Sequence, residues 1–243
     1  MAHQLDGKVA LVTGASRGIG RATARLLAQE GADLVLAART APELESLAAE
    51  ITDMGQQALV VPADVSDETD VMRLQEQALA RFGRVDILVN NAGVGKYGPL
   101  AALTVADYDW MMDSNMRTSF LCTHAFLPGM LERRHGWIVF VGSVAGLKGL
   151  PGESVYNASK FAQYGFAQSL DYETREQGIK VTYLAPGGVH TDFAFGTGRT
   201  EGDPNLEKML DPETVAAAVL FAVTQPEKAR VFLVGLRPMS EPL

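Results

Sequence analysis

The stretch KVALVTGASRGIG, residues 8–20, indicates how this chain begins to fold. It starts as an uninterrupted apolar run, passes through a glycine-rich turn and ends where a helical pattern opens. In such a turn Gly14 permits the tight bend, Gly18 lets a phosphate group approach the backbone, and Gly20 lets the helix pack on the strand. Because the glycine spacing is wider at the front than the common G-x-G-x-x-G, a turn that only packs is the alternative. We interpret the stretch as a strand, a phosphate-binding turn and a helix.

Outward from this unit, strand-like and helix-like segments alternate to the end of the chain. Short apolar runs occupy residues 8–13, 32–38, 57–63, 85–90, 136–142, 180–185 and 230–235. Helical patterns occupy residues 18–30, 42–54, 67–82, 105–131, 154–177 and 212–223. Continuous apolar runs are typical of strands covered on both faces, and their alternation with helices implies right-handed βαβ crossovers. The pattern predicts an α/β fold, in which one domain over residues 1–243 holds a parallel sheet with helices on both faces.

The composition limits the classes of function. The chain has 243 residues, a net charge of −8 and no basic run, which argues against a nucleic acid or an anionic membrane as partner. No apolar stretch is long enough to span a bilayer, and the first residues lack the pattern of a secretory signal. The single cysteine, Cys122, cannot form an internal disulfide, and we expect it to pack in a helix. These features predict a cytoplasmic protein.

The second apolar run ends beside a cation rather than an acid. In this class of fold the end of the second strand contacts the ribose of a bound dinucleotide, and an acid there is typical of NAD. Here the run is followed by Arg39, whereas Asp33 stands at its other end. Arg17, in the glycine turn, offers a second guanidinium group on the same side, which favours a 2′-phosphate. We therefore predict NADP(H) as the cofactor in preference to NAD; the alternative for Arg39 is a solvated charge.

Residues that follow the third and fourth runs are expected to complete the nucleotide site. Asp64, with Val65 beside it, could accept a hydrogen bond from an adenine amino group, although Asp64 could equally cap a helix. The sequence NNAG, residues 90–93, closes the fourth run with amides and small side chains. Such residues permit close approach of the backbone to a cofactor, or form a satisfied turn.

The stretch SVYNASK, residues 154–160, places Tyr156 and Lys160 four positions apart. On a helix both side chains lie on one face, one turn apart, and an ammonium close to a phenol favours the phenolate. Ser143 precedes Tyr156 by 13 residues and follows the fifth run, so all three belong to the carboxyl edge of the sheet. The pattern predicts a site that transfers protons. The alternative is a helix aromatic, a solvated lysine head and an N-cap serine.

Together these motifs resemble the short-chain dehydrogenase/reductase family. The resemblance extends to about residue 192 and is carried by TGASRGIG, NNAG, Asn115 in SNMRTSF, Ser143, YNASK, and Pro186-Gly187 followed by Thr191. It implies a single-domain, Rossmann-type doubly wound parallel sheet of about seven strands and a nicotinamide cofactor. It also implies a catalytic tetrad formed by Asn115, Ser143, Tyr156 and Lys160.

The residue types of the tetrad suit the reduction of a ketone, which needs a hydride on carbon and a proton on oxygen. A free tyrosine has a pKa of about 10, so we expect Lys160 and the positive ring of the oxidised cofactor to lower the pKa of Tyr156. Tyr156 is then the acid in reduction and the base in oxidation, while Ser143 donates to the substrate oxygen. By resemblance, Lys160 holds the nicotinamide ribose, Asn115 supports a water that links Lys160 to solvent, and Thr191 binds the carboxamide.

The strand ends and the resemblance together define the expected contacts. Those with the cofactor are Thr13, Gly14, Ser16, Arg17, Gly18, Ile19, Gly20, Arg39, Asp64, Val65, Asn91, Ala92, Gly93, Tyr156, Lys160, Pro186, Gly187, Val189 and Thr191. Those with the substrate, by position alone, are Val94, Ser143, Val144, Leu150, Tyr156, Gly188, Phe193 and Phe195, with Glu153 near the rim and His190 beside the pocket. The histidines do not have the spacing of a metal site.

A polar, glycine-rich segment, residues 187–210, follows the sixth run and interrupts the alternation. A connection this long is usually functional, and we expect it to form a lid on the substrate side. The predicted reaction is the NADP-dependent interconversion of a ketone and a secondary alcohol, with a small, mainly apolar molecule as substrate. By resemblance, the helices at 105–131 and 154–177 pair with a twin in a homodimer or homotetramer.

Two other functions remain open on the sequence. Arg133 and Arg134 resemble the basic edge with which 3-oxoacyl-(acyl carrier protein) reductases dock an acidic carrier, although a charged helix end explains them more simply. The tail, residues 230–243, also lacks the glycine-rich ending of that group. A non-catalytic module that senses NADP is the alternative from another class, and the complete tetrad argues against it.

Overall fold

The computed structural model describes residues 3–241, which form a single sheet with helices on both sides. The strands are β1 (Val9–Thr13), β2 (Asp33–Ala38), β3 (Ala58–Pro62), β4 (Ile87–Asn90), β5 (Gly136–Val141), β6 (Ile179–Pro186) and β7 (Leu233–Leu236). Within the described residues they make a seven-stranded sheet in the order β3-β2-β1-β4-β5-β6-β7, and every neighbouring pair is parallel. The α/β fold and the doubly wound sheet predicted from the sequence are confirmed.

Helices connect the strands, and local residues set their boundaries. They are α1 (Gly18–Gln29), α2 (Ala41–Asp53), α3 (Glu68–Phe82), α4 (Val105–Met112), α5 (Thr118–Arg133), α6 (Ser154–Thr174) and α7 (Pro212–Val223). At the start of α3 the carboxylate of Asp67 accepts a hydrogen bond of 3.0 Å from the amide of Asp70. Pro212 occupies the first turn of α7, where its missing N–H costs nothing. Gly83 ends α3 in the left-handed conformation, with φ of 74°.

The strand order determines where a ligand can bind. The chain winds outward from β1 through β2 to β3, returns to place β4 beside β1, and then winds in the other direction to β7. The connections that follow β1 and β4 therefore leave the sheet in opposite directions. A crevice opens between them beyond the carboxyl ends of these strands, at Thr13 and Asn90.

Both faces of the sheet are buried, which explains why the strands read as continuous apolar runs. Val12 and Val89 belong to the core that contains residues of α1 and α7. Leu11 and Leu88 belong to the core on the opposite face, together with Leu74 of α3. Each side chain of this size contributes about 1.5–3 kcal/mol when fully buried. The central strands are thus held from both sides, and their ends form a rigid base for the crevice.

The segment that the sequence predicts as one helix over 105–131 is interrupted. A π-helical turn, Asp113–Arg117, separates α4 from α5, and α5 continues to Arg133 with Pro128 inside it. A π-helical turn accommodates an extra residue and frequently lies at a functional site. Asn115 is in this turn and is fully buried. The insertion shifts the hydrophobic period by less than a turn, so the sequence pattern alone does not reveal it.

The structure also bears on two expectations from the composition, the environment of Cys122 and the presence of a membrane-spanning helix. Cys122 is buried in α5, where it packs as an apolar side chain. The same burial raises the pKa of its thiol to about 12, so the thiol stays neutral. Across residues 3–241, no helix has both the length and the apolarity that a membrane crossing requires.

Candidate active site

A cavity of about 900 Å³ opens at the carboxyl edge of the sheet. It extends from the glycine turn before α1 to the segment 187–210, and its volume lies in the range of roughly 300–1,000 Å³ that is typical of ligand pockets. Most of the expected cofactor contacts line it, namely Gly14, Ser16, Arg17, Gly18, Ile19, Arg39, Asp64, Val65, Asn91, Ala92, Gly93, Tyr156, Lys160, Pro186, Gly187, Val189 and Thr191.

Thr13 and Gly20, two of the expected cofactor contacts, do not line the cavity. The hydroxyl of Thr13 accepts hydrogen bonds of 3.0 Å from the amides of Asn91 and Ala92, so this residue shapes the turn after β4. A Cβ on Gly20 would lie 2.2 Å from the carbonyl oxygen of Gly14. Gly20 is therefore needed for the packing of α1 against the turn, and both residues act behind the cavity wall.

The glycine turn has the features of an anion site. Arg17 precedes α1 without capping it through its side chain, and the first amides of a helix have no partner within the helix. Gly14 and Gly18 adopt φ of 64° and 53°, a conformation that L side chains rarely take. A Cβ on Gly14 would also lie 2.9 Å from the side-chain nitrogen Nδ2 of Asn91. Bare backbone at a helix N-terminus fits the phosphates of a dinucleotide.

The two arginines expected to converge on a 2′-phosphate have different partners. Arg39 is exposed at the end of β2, lines the cavity and makes no ion pair with any described residue. The guanidinium of Arg17 instead pairs with the carboxylate of Asp192, in the segment 187–210. Arg17 is thus already engaged, and Arg39 is the arginine left to meet an anion. The sequence could not indicate the pair, because 175 residues separate its members.

Asp64 is not the N-cap of α3, a role that Asp67 takes, but its carboxylate makes local hydrogen bonds and lines the cavity. Its Oδ1 accepts hydrogen bonds from the Ser66 amide at 3.0 Å and the Ser66 hydroxyl at 2.7 Å. These bonds, with a smaller contribution from the charge of Arg39, hold the pKa of Asp64 below its usual value. Asp64 therefore stabilises the turn that leads into α3. The remaining oxygen, Oδ2, makes no hydrogen bond with the described residues.

Ser143, Tyr156 and Lys160 lie on one wall of the cavity, as their spacing predicted. Ser143 follows β5, and its hydroxyl accepts a hydrogen bond of 3.1 Å from the Ala145 amide, so the serine is also the N-cap of a short 3₁₀ turn. Tyr156 and Lys160 belong to the first two turns of α6, and both side chains are buried. The lysine Nζ is 5.9 Å from the centre of the tyrosine ring.

Burial is the main influence on the protonation of Tyr156 and Lys160 in the protein itself. Burial raises the pKa of Tyr156 to about 12, although a hydrogen bond with Ser143 acts in the opposite direction. Burial lowers the pKa of Lys160 to about 8. Because desolvation disfavours the charged form of each group, the ammonium does not by itself acidify the phenol. The expected lowering of the tyrosine pKa is therefore not a property of the protein side chains alone.

Asn115 does not face the cavity, in contrast to the other three members of the expected tetrad. Its Oδ1 accepts a hydrogen bond of 2.8 Å from the Val94 amide, and its Nδ2 donates to the Val94 carbonyl at 3.0 Å. The same Nδ2 donates to the hydroxyl of Ser159 at 2.8 Å. Asn115 is fully buried and satisfied by protein groups, so it positions the wall that carries Val94 and the helix that carries Ser159.

The sequence reasoning missed the polar groups behind Lys160. Its Nζ lies 3.2 Å from Gln163 Oε1 and 3.4 Å from the Val141 carbonyl oxygen. Gln163 in turn donates to the hydroxyl of Ser119 at 2.7 Å, across to α5. The only signal for Gln163 is its position three residues after Lys160 on a helix. Nothing in the sequence pairs Ser119 with it, because the two are 44 residues apart.

The substrate end of the cavity is lined by most of the expected residues, namely Val94, Ser143, Val144, Leu150, Tyr156, Gly188 and Phe193, together with Glu153. Phe195 and His190 do not line it. Phe195 pairs instead with Arg199 in a β-bridge, and His190 is exposed, so neither side chain contributes to the wall. Tyr97, which the sequence did not indicate, packs edge to face on Tyr156 with ring centres 5.5 Å apart.

The segment 187–210 and the C-terminal tail close this end of the cavity. The hydroxyl of Thr197 donates to the Gly95 carbonyl at 2.7 Å, which seats the segment against the loop after β4. From the tail, Glu241 Oε1 accepts a hydrogen bond of 2.6 Å from the Gly188 amide. Glu241 lines the cavity and was not expected there, because 53 residues separate it from Gly188.

Arg133 and Arg134 lie at the opposite edge of the sheet from the cavity, since they immediately precede β5 whereas the cavity lies beyond its end. Arg133 donates to the Val85 carbonyl at 2.8 Å and Arg134 donates to the Glu176 carbonyl at 2.9 Å. These contacts stabilise the chain around the C-terminus of α5. They favour the interpretation of both residues as a charged helix end.

Comparison with known proteins agrees with the fold and identifies the family. A family model described as short chain dehydrogenase matches residues 8–201. The chain is 38% identical over 240 residues to a sepiapterin reductase of Chlorobaculum tepidum, with 96% of each protein covered. It is 38% identical over 244 residues to glycine betaine reductase ATRR of Emericella nidulans. That match covers 98% of this chain but spans only 19% of the relative.

The similarity extends to solved structures over almost the whole chain. An alcohol dehydrogenase from the archaeon Thermococcus sibiricus, complexed with 5-hydroxy-NADP, superposes with a TM-score of 0.90 and 31% identity. The match covers 97% of this chain and 98% of that chain. The similarity therefore includes both ends of the cavity, not the glycine turn alone.

Proposed function

The chain belongs to the short-chain dehydrogenase family, and from that premise we propose that it is an NADP-dependent oxidoreductase which interconverts a ketone and a secondary alcohol. The observation that carries this proposal is a single cavity with a bare glycine turn at one end and Ser143, Tyr156 and Lys160 at the other. A nicotinamide dinucleotide held along it would supply or accept the hydride. The whole chain then acts as one catalytic domain, with residues 187–210 as its lid.

The side chains divide the remaining work of the reaction. Tyr156, whose pKa of about 12 keeps it protonated near neutrality, gives its proton to the carbonyl oxygen as the hydride reaches carbon. Ser143 donates a hydrogen bond to the same oxygen and stabilises the charge that develops there. Lys160, buried against Gln163, holds a positive charge at pH values below about 8. When an alcohol is oxidised, Tyr156 must first lose its proton. Because its pKa is about 12, this requires additional positive charge beside the phenol.

Arg39 supports NADP over NAD. Its guanidinium is exposed at the end of β2 and unpaired among the described residues, where a ribose 2′-phosphate would lie. The acid of this strand, Asp33, lies at its other end and accepts a hydrogen bond from the Gln57 amide. The similar alcohol dehydrogenase of Thermococcus sibiricus, complexed with a hydroxylated NADP, supports the same choice.

The substrate is a small carbonyl compound or alcohol with an apolar body. Val144, Leu150 and Phe193 give the pocket apolar walls beside Tyr156. A reductase that docks an acyl carrier protein is less well supported, because Arg133 and Arg134 lie at the other edge of the sheet. A sensor without catalysis is disfavoured because Ser143, Tyr156 and Lys160 are assembled on one wall.

Exposed aromatic side chains on α5 and α6 support a homodimer or homotetramer. Phe120 and Phe161 are 46% and 43% exposed, and Tyr172 is 68% exposed. Single apolar residues at a surface are ordinary, but three aromatic rings on two adjacent helices fit an interface with a second copy. From its composition, we propose that the protein is located in the cytoplasm.

The experiment that tests this function follows NADPH and NADH absorbance with a panel of ketones and 3-oxoacyl thioesters. We expect faster oxidation of NADPH than of NADH with apolar ketones, and loss of about a hundredfold to ten-thousandfold of the rate in Tyr156→Phe. Full activity in that variant would contradict the proposed mechanism. Tight binding of NADPH with no turnover of any compound would favour the sensor.

A further inference from the structure

We propose that Glu153 makes the pocket selective for carbonyl substrates that carry a positive charge, such as an amine or a quaternary ammonium group. The inference rests on the proposed function and specifies its substrate class. Glu153 lines the cavity beside Tyr156, and its carboxylate forms no hydrogen bond or ion pair with any residue that the structure describes.

The position of Glu153 directs it toward the reacting end. It immediately precedes α6, three residues before Tyr156, and both residues line the cavity. Its backbone is used structurally, since its carbonyl accepts a hydrogen bond of 2.7 Å from the Asn157 amide. Its side chain does not cap the helix. A half-buried carboxylate without a structural partner is costly for the fold, which indicates that it is kept for a ligand.

The charges around Glu153 leave a surplus of negative charge. Burial raises the pKa of Glu153, and the charge of Glu241 acts in the same direction, while Arg199 opposes them. Arg199 is already engaged: it donates to the Val189 carbonyl at 3.0 Å and lies 5.8 Å from the centre of the Phe193 ring. Among the described groups whose charges act on Glu153, Glu241 is a second carboxylate and Arg199 is the one cation, while Lys160 is engaged by Gln163. A cationic substrate would supply the missing charge, whereas an anionic substrate would be repelled.

The walls beside this carboxylate are aromatic. The ring of Tyr156 lies 5.5 Å from that of Tyr97 and 6.0 Å from that of Phe193, measured between centres. Burial raises the pKa of Tyr97 strongly, so its ring stays neutral. Aromatic faces attract ammonium groups, and quaternary ammonium ligands are commonly held by such rings. Rings and carboxylate together provide both parts of a site for an alkylammonium group.

The test uses two ketones of nearly the same shape. Acetonyltrimethylammonium and methyl neopentyl ketone differ only in a charged nitrogen in place of a quaternary carbon. We expect Glu153→Gln to reduce the ratio of their kcat/KM values, cationic over neutral, by about tenfold. Glu173→Gln, an exposed carboxylate further along α6 and outside the cavity, is the matched control and leaves the ratio unchanged.

A binding measurement separates this inference from the reaction itself. Calorimetric titration of acetonyltrimethylammonium into the protein loaded with oxidised NADP, which has no hydride to give to the ketone, is expected to show about tenfold weaker binding to Glu153→Gln than to the unaltered chain. Reduction of both ketones with a ratio that Glu153→Gln does not change would overturn the inference and leave the proposed function in place. If no carbonyl compound is reduced, the proposed function fails. Equal affinities in the titration would then also overturn the role of Glu153.

Discussion

Asn115 donates from its Nδ2 to the hydroxyl of Ser159 across 2.8 Å, which joins the π-helical turn Asp113–Arg117 directly to α6. Helix α6 carries both Tyr156 and Lys160. The same side-chain amide also holds Val94 on the cavity wall: its Oδ1 accepts from the Val94 N–H, and its Nδ2 donates to the Val94 carbonyl. One buried side chain therefore fixes the distance between the wall of the pocket and the helix that carries Tyr156 and Lys160.

We expect Asn115→Ala to lower the free energy of unfolding by about 1–3 kcal/mol, because it leaves the Val94 amide and the Ser159 hydroxyl without their buried partner. Urea unfolding followed by circular dichroism measures this. The rate should fall through kcat rather than KM, since the residue does not touch the cavity. Asn205→Ala, at an exposed amide, is the control and should stay within about 0.5 kcal/mol. An unchanged stability in Asn115→Ala would contradict the positioning role.

The buried ammonium of Lys160 predicts a dependence of stability on pH. Its pKa is about 8 in the folded chain, against an ordinary value of 10.5. Between these values the unfolded chain binds more protons than the folded chain, so the contribution of Lys160 to stability rises with pH across this window. Compared with Lys160→Met, the unaltered protein should therefore gain stability as the pH increases from about 8 to 10.5.

Urea unfolding at several pH values measures the Lys160 effect as a difference between the two proteins. The raised pKa of Tyr156 acts in the opposite direction above pH 10 but is common to both. Lys228→Met, at an exposed lysine, should show no such slope. A flat difference for Lys160→Met over the same pH range would mean that the ammonium is not desolvated.

Arg39 should determine the choice of cofactor. Replacing it by alanine removes a charge-assisted contact to a 2′-phosphate, so kcat/KM with NADPH should fall by about tenfold to a hundredfold while that with NADH changes little. Steady-state kinetics with each cofactor checks this. Lys228→Ala is the control for the loss of one exposed positive charge. An equal decrease of kcat/KM with NADPH and with NADH would show that Arg39 does not bind the 2′-phosphate.

The ion pair between Arg17 and Asp192 should compete with phosphate binding. Both side chains are partly exposed, 67% and 38%, so the effect is small, about 0–1 kcal/mol. We expect Asp192→Asn to release Arg17 and to lower the KM for NADPH up to about fivefold, more at low salt. Glu201→Gln, an exposed carboxylate in the same segment, should not do so. A higher KM in Asp192→Asn would instead indicate that the pair holds the lid in place.

The exposed ring of Phe161 should contribute to an interface with a second copy. Phe161→Glu places a charge on the apolar face of α6, so sedimentation should show a smaller assembly than for the unaltered protein. Met72→Glu, at an exposed apolar residue on α3, is the control. If the unaltered protein sediments as a monomer, the proposed homo-oligomer is wrong.

The fold class and the edge of the sheet that carries the candidate site could be predicted from the amino-acid sequence. Continuous apolar runs such as 8–13 are buried on both faces, and this is a local pattern that a reader of the sequence can recognise. The order of strand, glycine turn and helix placed the anion site, and helical spacing placed Tyr156 and Lys160 together. The strand that ends before Ser143 brought it to the same edge of the sheet.

Contacts between residues far apart in the chain, and the effect of burial on protonation, could not be predicted from the sequence. Arg17 meets Asp192 over 175 residues and Gly188 meets Glu241 over 53, and no local pattern encodes either pair. Burial was equally invisible: it raises the pKa of Tyr156 and lowers that of Lys160, against the effect expected from their adjacency alone. Periodicity specifies which face of an element is apolar, whereas desolvation and partners depend on what the whole fold packs against that face.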